Sequence, residues 1–376
     1  MPAASQSSRK TKRVNLALQG GGSHGAFTWG VLDCLLEDPR VEIVAVSGAS
    51  AGAMNAVAML DGFARGGREG ARAVLRKFWD GVADAAEGQW GAFAAEPLRQ
   101  FLGDWGASFN PFTAWSDMLL RSVSPYDFNP LNYNPLRDMV AKLIDFDAVR
   151  ACSGVKAYVS ATNVYTGRVA VFRREQLTPD HVMASACLPF LFQAVVIEGQ
   201  PYWDGGYMGN PSLWPLFDGS DSDDTIIVQI NPIEREFTPK SSRDILERVN
   251  EITFNASLLR ELRAIDFVNR LREDGRLKDT AYHRVLVHMI ADAQGLALDS
   301  RLRVSRSLLH ALFARGRAAA EDWLETKFDA VGDRSTVDLR RLFQGDQDEE
   351  GAMEEPEAVA ALAKKPPPCR ASGSPC

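Results

Sequence analysis

Short apolar runs alternate with amphipathic segments along most of this chain. The runs at residues 14–18, 41–46, 194–197, 225–230 and 285–290 predict buried strands. Residues 26–36, 241–274 and 305–328 instead carry apolar side chains at helical spacing. The pattern therefore predicts an α/β protein whose strands lie in a mostly parallel central sheet.

The pentapeptide Gly-Ala-Ser-Ala-Gly at residues 48–52 lies between the predicted strand at 41–46 and a helix-favouring stretch. A serine on such a sharp strand-to-helix turn is typical of a nucleophile elbow, in which the hydroxyl projects into a cleft. Gly48 and Gly52 would leave room for close packing of the helix against the strand. We therefore expect Ser50 to be a catalytic nucleophile, although the same pattern also occurs in ordinary glycine-rich loops.

A second glycine-rich loop follows the first predicted strand and precedes a predicted helix. Its glycines satisfy the G-x-G-x-x-G pattern of dinucleotide-binding proteins, with Glu42 as the only candidate ribose ligand. The same geometry aims several backbone N–H groups at one point, which suits an oxyanion. Because neighbouring parallel strands would bring Ser50 beside this loop, we favour an oxyanion hole. Its candidate residues are Gly20, Gly21, Gly22 and Gly25.

Two kinds of residue could remove the serine proton. A Ser-His-Asp hydrolase would use a histidine later in the chain, and His283 or His288, near the apolar run at 285–290, could serve. A histidine within an apolar strand is more often a packed core residue. Asp204 is the better candidate, because it precedes Gly205 and Gly206 in a tight turn that can approach another loop.

Together, the glycine loop, the serine turn and the Asp-Gly-Gly turn resemble the patatin-like phospholipase family, in the family's order along the chain. The segments at 160–164, 166–167, 184–189 and 209–211 are similar to the family too, so the resemblance runs from residue 14 to 215. It implies a three-layer α/β/α fold and a dyad of Ser50 and Asp204 without histidine. It also implies hydrolysis of lipid, phospholipid or other carboxylic esters, with no metal and no organic cofactor.

The resemblance further implies how these residues act. Asp204 would accept the Ser50 proton as the hydroxyl oxygen attacks an ester carbonyl, and the N–H groups of Gly21 and Gly22 would bind the oxyanion. Family members commonly carry Arg or Lys just before the last glycine of the first loop, whereas this chain has His24. We expect any role of a positive charge at this position to depend on pH.

The composition of the chain indicates the cellular compartment in which this chemistry is expected. The chain has 376 residues, of which 45% are hydrophobic and 24% charged, as in a soluble protein with a large core. Its five cysteines form no close pair suited to zinc, and no apolar run long enough for a secretory signal follows the basic N-terminus. These features predict a cytoplasmic protein that contacts a membrane or lipid surface only peripherally.

The net charge of −7 is unevenly distributed along the chain. Residues 1–13 carry four basic side chains, and residues 344–376 carry seven acidic side chains against three basic ones. The body between them shows no basic stripe, which argues against a nucleic-acid partner. We expect a disordered basic arm at 1–13, one hydrolase domain at 14–330 and a disordered acidic and proline-rich tail at 344–376.

Residues 79–135 are rich in tryptophan, phenylalanine, glycine and proline, so one long regular element cannot form there. Aromatic side chains suit a lipid interface, which favours a cap or an acyl-chain groove. An irregular packed excursion over the sheet edge is the alternative. The amphipathic segment at 241–274 is expected either to cover the core or to mediate a homodimer.

Two functions besides an ester hydrolase stay open at this stage. A non-catalytic protein that binds lipid or another partner could keep the same fold and loop geometry. A dinucleotide-binding oxidoreductase would explain the first glycine loop but not the serine and aspartate turns.

Overall fold

The computed structural model of the chain describes residues 11–87, 124–277, 284–292 and 304–345. Strands within these ranges form one sheet of eight. They are β1 (Lys12–Leu18), β2 (Val41–Gly48), β3 (Lys156–Asn163), β4 (Val169–Arg173), β5 (Val195–Ile197), β6 (Gln200–Asp204), β7 (Asp224–Gln229) and β8 (Leu286–Ala291). The pairing path is β5-β6-β3-β2-β1-β7-β8, and β4 pairs with β3.

The centre of the sheet is parallel and one end is antiparallel. β3, β2, β1, β7 and β8 pair in parallel, and all of these except β3 coincide with apolar runs in the sequence. β4 and β6 both run antiparallel to β3, and β5 runs antiparallel to β6. Glu198 and Gly199 join β5 to β6 with φ angles of 51° and 76°, which is the two-residue turn that suits a hairpin.

Helices cover both faces of the sheet. They are α1 (Gly25–Glu37), α2 (Ala51–Glu87), α3 (Pro125–Phe128), α4 (Pro135–Leu143), α5 (Phe146–Ala151), α6 (Pro179–Ser185), α7 (Trp214–Gly219), α8 (Ser242–Glu273), α9 (Arg306–Thr326) and α10 (Leu339–Gln344).

Successive side chains along a strand lie alternately in two separate hydrophobic cores, one on each face of the sheet. Leu16 and Val46 belong to the core closed by α1, α2 and α9. Their neighbours Ala17 and Ala45 belong to the core closed by α7, α8 and α10. Successive strand residues face opposite sides of a sheet, so the fold is the three-layer α/β/α arrangement.

Several boundaries differ from those predicted. β1 begins at Lys12, whose ammonium group donates to the carbonyl oxygens of Phe328, Asp329 and Val331, so this end of the basic arm lies in the sheet. Trp79 is buried in α2 rather than in an irregular segment. The folded body continues past residue 330, because α10 packs against α8. The remaining parts of these predictions fall on residues 1–10, 88–123 and 346–376, which lie outside the described residues.

The segment predicted to cover the core or to mediate a dimer divides into two parts. In the second half of α8, Leu258, Leu262 and Ile265 lie in the core. In its first half, the apolar side chains of Val249 and Ile252 are about half exposed. The core-covering interpretation therefore describes only part of this helix.

Candidate active site

Ser50 occupies a sharp turn between β2 and α2. Its φ angle of 52° lies in the left-handed region, which is uncommon for a residue other than glycine. The neighbouring Gly52 packs directly against β1, since a Cβ atom there would lie 2.1 Å from the carbonyl oxygen of Leu18. Ser50 is partly exposed, whereas the residues on either side of it are buried. These features match the geometry of a nucleophile elbow.

Asp204 ends strand β6 on the same edge of β3 that carries β2. Ala161 of β3 pairs with Ala170 of β4 and also with Asp204, so β4 and β6 lie on opposite edges of β3. Val159 pairs with β4 and with Gly48, so β2 lies opposite β4 as well. β2 and β6 thus meet end to end along one edge of β3.

The register gives the distance between these two strand ends. Gly48 is opposite Val159 and Asp204 is opposite Ala161, two residues further along β3. Two residues of a strand span about 7 Å. Ser50 follows Gly48 by two residues, so the turn that carries it begins at the point where β6 ends.

Asp204 is held firmly and is shielded from water. Its side chain is 1% exposed, and Oδ1 accepts a 2.7 Å hydrogen bond from the Gly206 N–H. Its backbone N–H donates to the carbonyl of Cys187, and its carbonyl accepts from the Thr162 hydroxyl, both at 2.8 Å. The carboxylate therefore has a fixed position at the end of the strand.

The end of α6 contacts both turns. The hydroxyl of Ser185, the last residue of α6, accepts a 2.9 Å hydrogen bond from the Ser50 N–H. Two residues later, the Cys187 carbonyl accepts the Asp204 N–H. Burial raises the pKa of the Cys187 thiol to about 12, so this thiol stays protonated at neutral pH and is a poor nucleophile.

The first glycine loop lies against the serine turn. A Cβ atom on Gly20 would lie 2.6 Å from Ser50 Cβ, which leaves no room for a side chain. Gly22 has a φ angle of 60°, in the left-handed region that favours glycine. The Gly25 N–H is used within the first helical turn, since it donates to the carbonyls of Gly22 and Ser23. Gly20 and Gly22 thus have separate structural reasons to be glycine, whereas the Gly25 N–H is already used within the helical turn.

Four buried carboxamide side chains lie behind this loop, and only one of them was singled out in the sequence. They are Gln19, Asn210, Asn231 and Asn255, none of which is more than 2% exposed. Asn210 falls in the Gly-Asn-Pro segment noted above, whereas the other three have no shared spacing or motif that would have identified them. The sheet topology brings them together, because β1 and β7 are neighbours and α8 packs on their end.

The candidate histidine within the described residues, His288, is not placed to act as a base for Ser50. His288 is fully buried in β8, where its ring bonds to Asp224 Oδ1 at 2.9 Å and to Thr336 Oγ1 at 3.1 Å. β8 is three strands away from β2, and Asp224 is the first residue of β7, at the opposite end from Ser50. His288 is therefore a packed core histidine, and His283 lies outside the described residues.

Two other sequence-based expectations change with the structure. Glu42 is exposed at the amino end of β2 and pairs with Arg13, whereas the glycine loop follows the carboxyl end of β1. It is thus misplaced for a ribose ligand, and the dinucleotide hypothesis loses its only acidic candidate. His24, the residue expected to give this position a pH-dependent role, is 2% exposed.

Exposed apolar side chains form a surface beside the two turns. We call this surface the apolar rim and define it as Tyr126, Leu131, Tyr133, Phe190 and Val196, each at least half exposed.

The rim residues come from two segments, 126–133 and 190–196, and hydrogen bonds show that these segments are adjacent. Gln193 Nε2 donates to the Asn129 carbonyl at 2.6 Å, and the Ala194 N–H donates to the Tyr126 hydroxyl at 3.2 Å. The rim segment that contains Phe190 directly follows Cys187, and β5 pairs with β6. The rim therefore adjoins the candidate site.

The described residues contain no group of three or more His, Cys, Asp or Glu side chains that could hold a metal ion. Within the same ranges, no helix combines the length and apolar character needed to cross a membrane.

Comparison with known proteins adds a family assignment. A family model described as patatin-like phospholipase matches residues 16–217, which is more than half of the chain. No protein of curated function matches the sequence.

Similar solved structures include VipD from Legionella pneumophila and ExoU in the heterodimeric ExoU-SpcU complex of the Pseudomonas aeruginosa type III secretion system. VipD shares 13% sequence identity with a TM-score of 0.37, over 84% of this chain and 67% of VipD. ExoU shares 16% identity with a TM-score of 0.37, over 85% of this chain and 53% of ExoU. The chain thus spans about half the length of ExoU.

Proposed function

Because the chain belongs to the patatin-like phospholipase family, we propose that it is a serine acyl hydrolase that cleaves lipid or other carboxylic esters. We assign the nucleophile to Ser50 and the base to Asp204. The observation that carries this proposal is the shared edge of β3, along which the ends of β2 and β6 meet. This arrangement supports the short approach between the serine and aspartate turns that a dyad without histidine requires.

In the proposed first step, Ser50 Oγ attacks the ester carbonyl carbon while Asp204 accepts the hydroxyl proton. The new carbon–oxygen bond leaves a negative charge on the former carbonyl oxygen. Collapse of this intermediate breaks the ester bond, and the departing alcohol takes the proton from Asp204. A carboxylate is a weak base toward a serine hydroxyl, and the burial of Asp204 favours the transfer by shielding it from water.

In the second step, water attacks the acyl-enzyme. Asp204 accepts the water proton, and the acid product leaves as Ser50 Oγ regains a proton. Bonds and protons balance in both proposed steps without a metal or an organic cofactor.

The proposed oxyanion donors are the N–H groups of Gly21 and Gly22. The Gly20 N–H already donates to Asn210 Oδ1 at 2.7 Å, so Gly20 contributes by its close approach to Ser50 rather than as a donor. Positively polarised N–H groups at the start of a helix suit a developing negative charge. Gly20 is thus assigned a packing role because its N–H is already bonded, and Gly21 and Gly22 are assigned the donor role.

The apolar rim supports a lipid or another acyl ester as the substrate class. Large exposed apolar side chains near one site are typical of a surface that meets lipid or a partner. The rim segments at 124–133 and 187–201 contain two acidic residues and no basic residue. We therefore propose that the rim contacts an uncharged or zwitterionic lipid surface by apolar insertion, without an electrostatic contribution.

Covalent labelling tests the proposed nucleophile directly. A fluorophosphonate probe should label the purified full-length chain, and mass spectrometry of the digest should map the label to Ser50. Ser50→Ala should abolish both labelling and hydrolysis of a p-nitrophenyl ester, whereas Ser222→Ala, a hydroxyl deletion at the opposite end of the sheet, should preserve both. Full activity of Ser50→Ala would overturn the proposal.

The same experiment distinguishes the proposed hydrolase from a non-catalytic lipid-binding protein. A non-catalytic lipid-binding protein would bind vesicles but would neither hydrolyse esters nor react with the probe at Ser50. Asp204→Asn distinguishes the dyad from another base, because the amide cannot accept the serine proton. We expect Asp204→Asn to retain the fold and to lose at least about 1,000-fold in kcat, as for removal of other catalytic bases.

A further inference from the structure

Side chains hold both backbone polar groups of Gly20, and its carbonyl is half of the Gly20–Gly21 peptide. The Gly20 N–H donates to Asn210 Oδ1 at 2.7 Å. The Gly20 carbonyl oxygen accepts from Asn231 Nδ2 at 2.7 Å and from Asn210 Nδ2 at 3.5 Å. A run of three glycines has no side chains to restrain its own backbone, so these contacts supply the restraint.

The orientation of the Asn231 amide is fixed by its partners. Asn231 Nδ2 donates to the Gly20 carbonyl and also to Gln19 Oε1, at 3.1 Å. Both partners are acceptors, so the NH₂ end of Asn231 has to face them. Gln19 Oε1 is fixed in turn, because it accepts the backbone N–H groups of Ile230 and Asn231 at 2.9 Å each.

A second layer of amides holds the first in place. Gln19 Nε2 donates to Asn255 Oδ1 at 3.1 Å. Asn255 Nδ2 donates to the carbonyls of Asn231 and Pro232, at 3.2 and 3.0 Å. β1, β7 and α8 are thereby joined beneath the loop by neutral groups only.

Peptide geometry connects these contacts to the site. In a trans peptide, the carbonyl of one residue and the N–H of the next point in opposite directions. A Gly20 carbonyl directed at Asn231 therefore directs the Gly21 N–H away from the buried amides. The loop packs against Ser50 at Gly20, and the proposed oxyanion site requires the substrate to meet Ser50 on the side away from the amides.

We propose that Asn231, supported by Asn210, is a positioning residue that prevents the Gly20–Gly21 peptide from turning over and keeps the Gly21 N–H available to an oxyanion. This inference rests on the proposed function for its catalytic consequence. Its structural part, the orientation of one peptide group, stands without it. Asn231 acts through the backbone and does not contact the substrate.

Two substitutions of Asn231 test the inference, with a matched control. Asn231→Leu keeps a similar volume and removes the donor to the Gly20 carbonyl. Asn231→Asp keeps the shape and polarity, and its carboxylate would face two acceptors at neutral pH. Asn15→Leu is the control, because Asn15 is also fully buried and donates to a backbone carbonyl, that of Ser222, at the other end of β1.

The readouts are crystal structures of the variants and steady-state kinetics on a soluble p-nitrophenyl ester. We expect Asn231→Leu to lower kcat about 100-fold, the effect of losing one oxyanion donor, while KM changes less than about threefold. Asn15→Leu should leave kcat unchanged. In Asn231→Asp, kcat relative to the unmodified protein should recover as the pH falls, because protonation restores an O–H donor.

The outcomes separate the inference from the proposed function. If Asn231→Leu and Asn231→Asp keep the Gly20 carbonyl orientation and an unchanged kcat, the inference is wrong. If Asn231→Leu does not fold, the inference is tested by Asn231→Asp alone. A kcat that does not recover as the pH falls would then overturn it. If the unmodified protein shows no Ser50-dependent hydrolysis, the proposed function fails, and the peptide orientation in the variant crystals still decides the positioning role.

Discussion

The backbone N–H of Ser50 donates a 2.9 Å hydrogen bond to the hydroxyl of Ser185, a fully buried residue at the end of α6. This bond joins the serine turn to the segment that continues to Cys187 and Asp204. Ser50 has a φ angle of 52°, and backbone strain of this kind persists only where surrounding contacts hold it. Ser185 is thus part of what keeps the turn in place.

Ser185→Ala should weaken the turn without changing the chemistry of Ser50 itself. Loss of the acceptor leaves a part-buried N–H without this partner, so the free energy of unfolding should fall by about 1 kcal/mol. We expect kcat for a soluble ester to fall about tenfold, which corresponds to about 1.4 kcal/mol in the barrier. Urea unfolding and steady-state kinetics measure the two effects, and an unchanged kcat would show that Ser185 is not needed to hold Ser50 in its active position.

Gly20→Ala tests the close approach between the glycine loop and the serine turn. The added Cβ atom would lie 2.6 Å from Ser50 Cβ and 2.7 Å from the Ala49 carbonyl oxygen, so one of the two turns has to move. A displacement of about 1 Å can cost about 100-fold in rate, and we expect kcat/KM to fall by that factor.

Gly154→Ala is the matched control for this substitution. No atom lies within 4 Å of a Cβ atom at Gly154, which is exposed in the turn before β3. The control should retain full kcat/KM and an unchanged urea midpoint. Equal activity of the two variants would show that the close contact between Gly20 and Ser50 is not needed for catalysis.

The sequence predicted the elements that carry the candidate site better than their arrangement. The three-layer fold and the parallel centre of the sheet are confirmed, because buried strands and amphipathic helices leave a clear periodic signal. β6 was not predicted as a strand, since Gln200 to Asp204 contains a proline and little alternation. The shared edge of β3 depends on this strand and on its antiparallel direction.

The carboxamides behind the loop show a different limit of sequence reasoning. Gln19, Asn231 and Asn255 lie on three separate elements, and each is an ordinary polar residue in its own segment. Only tertiary pairing makes them neighbours, through hydrogen bonds over more than 200 positions between Gln19 and Asn231. No local pattern encodes such a relationship.

The apolar rim should bind lipid independently of catalysis. Leu131→Ser combined with Phe190→Ser removes two of its most exposed side chains, at 91% and 69% exposure. Burial of such a side chain is worth about 1.5–3 kcal/mol, so vesicle affinity should fall at least tenfold. Sedimentation with phosphatidylcholine vesicles at two salt concentrations measures the loss and should show no salt dependence.

Two comparisons make this experiment specific. Ile252→Ser removes a half-exposed apolar side chain from α8 and should leave vesicle binding unchanged. Hydrolysis of a soluble short-chain ester by the double variant should also be unchanged, because neither residue belongs to the serine or aspartate turn. Undiminished vesicle binding by the double variant would contradict a lipid role for the rim.

Glu261 on α8 should make the stability of the fold depend on pH. Its Oε2 atom accepts the backbone N–H groups of Leu213 and Trp214, at 2.8 and 2.9 Å. Burial raises the pKa of this carboxyl from 4.5 to about 7, although the two hydrogen bonds oppose the shift. Between pH 4.5 and 7 the folded chain therefore holds a proton that the unfolded chain has released.

Linkage gives the direction of the effect. The stabilisation is fully present below pH 4.5 and is lost as the pH rises through about 7, because unfolding in this window releases a proton and is therefore favoured by a higher pH. The shift corresponds to at most about 3 kcal/mol. Glu261→Gln stays neutral and keeps an acceptor, so its free energy of unfolding should exceed that of the unmodified protein above pH 7.

Urea unfolding between pH 4 and 8 tests this expectation. The difference between Glu261→Gln and the unmodified protein should grow from pH 4.5 to 7 and then level off. Glu325→Gln, a substitution of an exposed glutamate on α9, should follow the unmodified protein at every pH. Parallel curves for Glu261→Gln and the unmodified protein would mean that Glu261 titrates as an ordinary carboxyl, and the loop from Asn210 to Trp214 would then be held equally at all pH values.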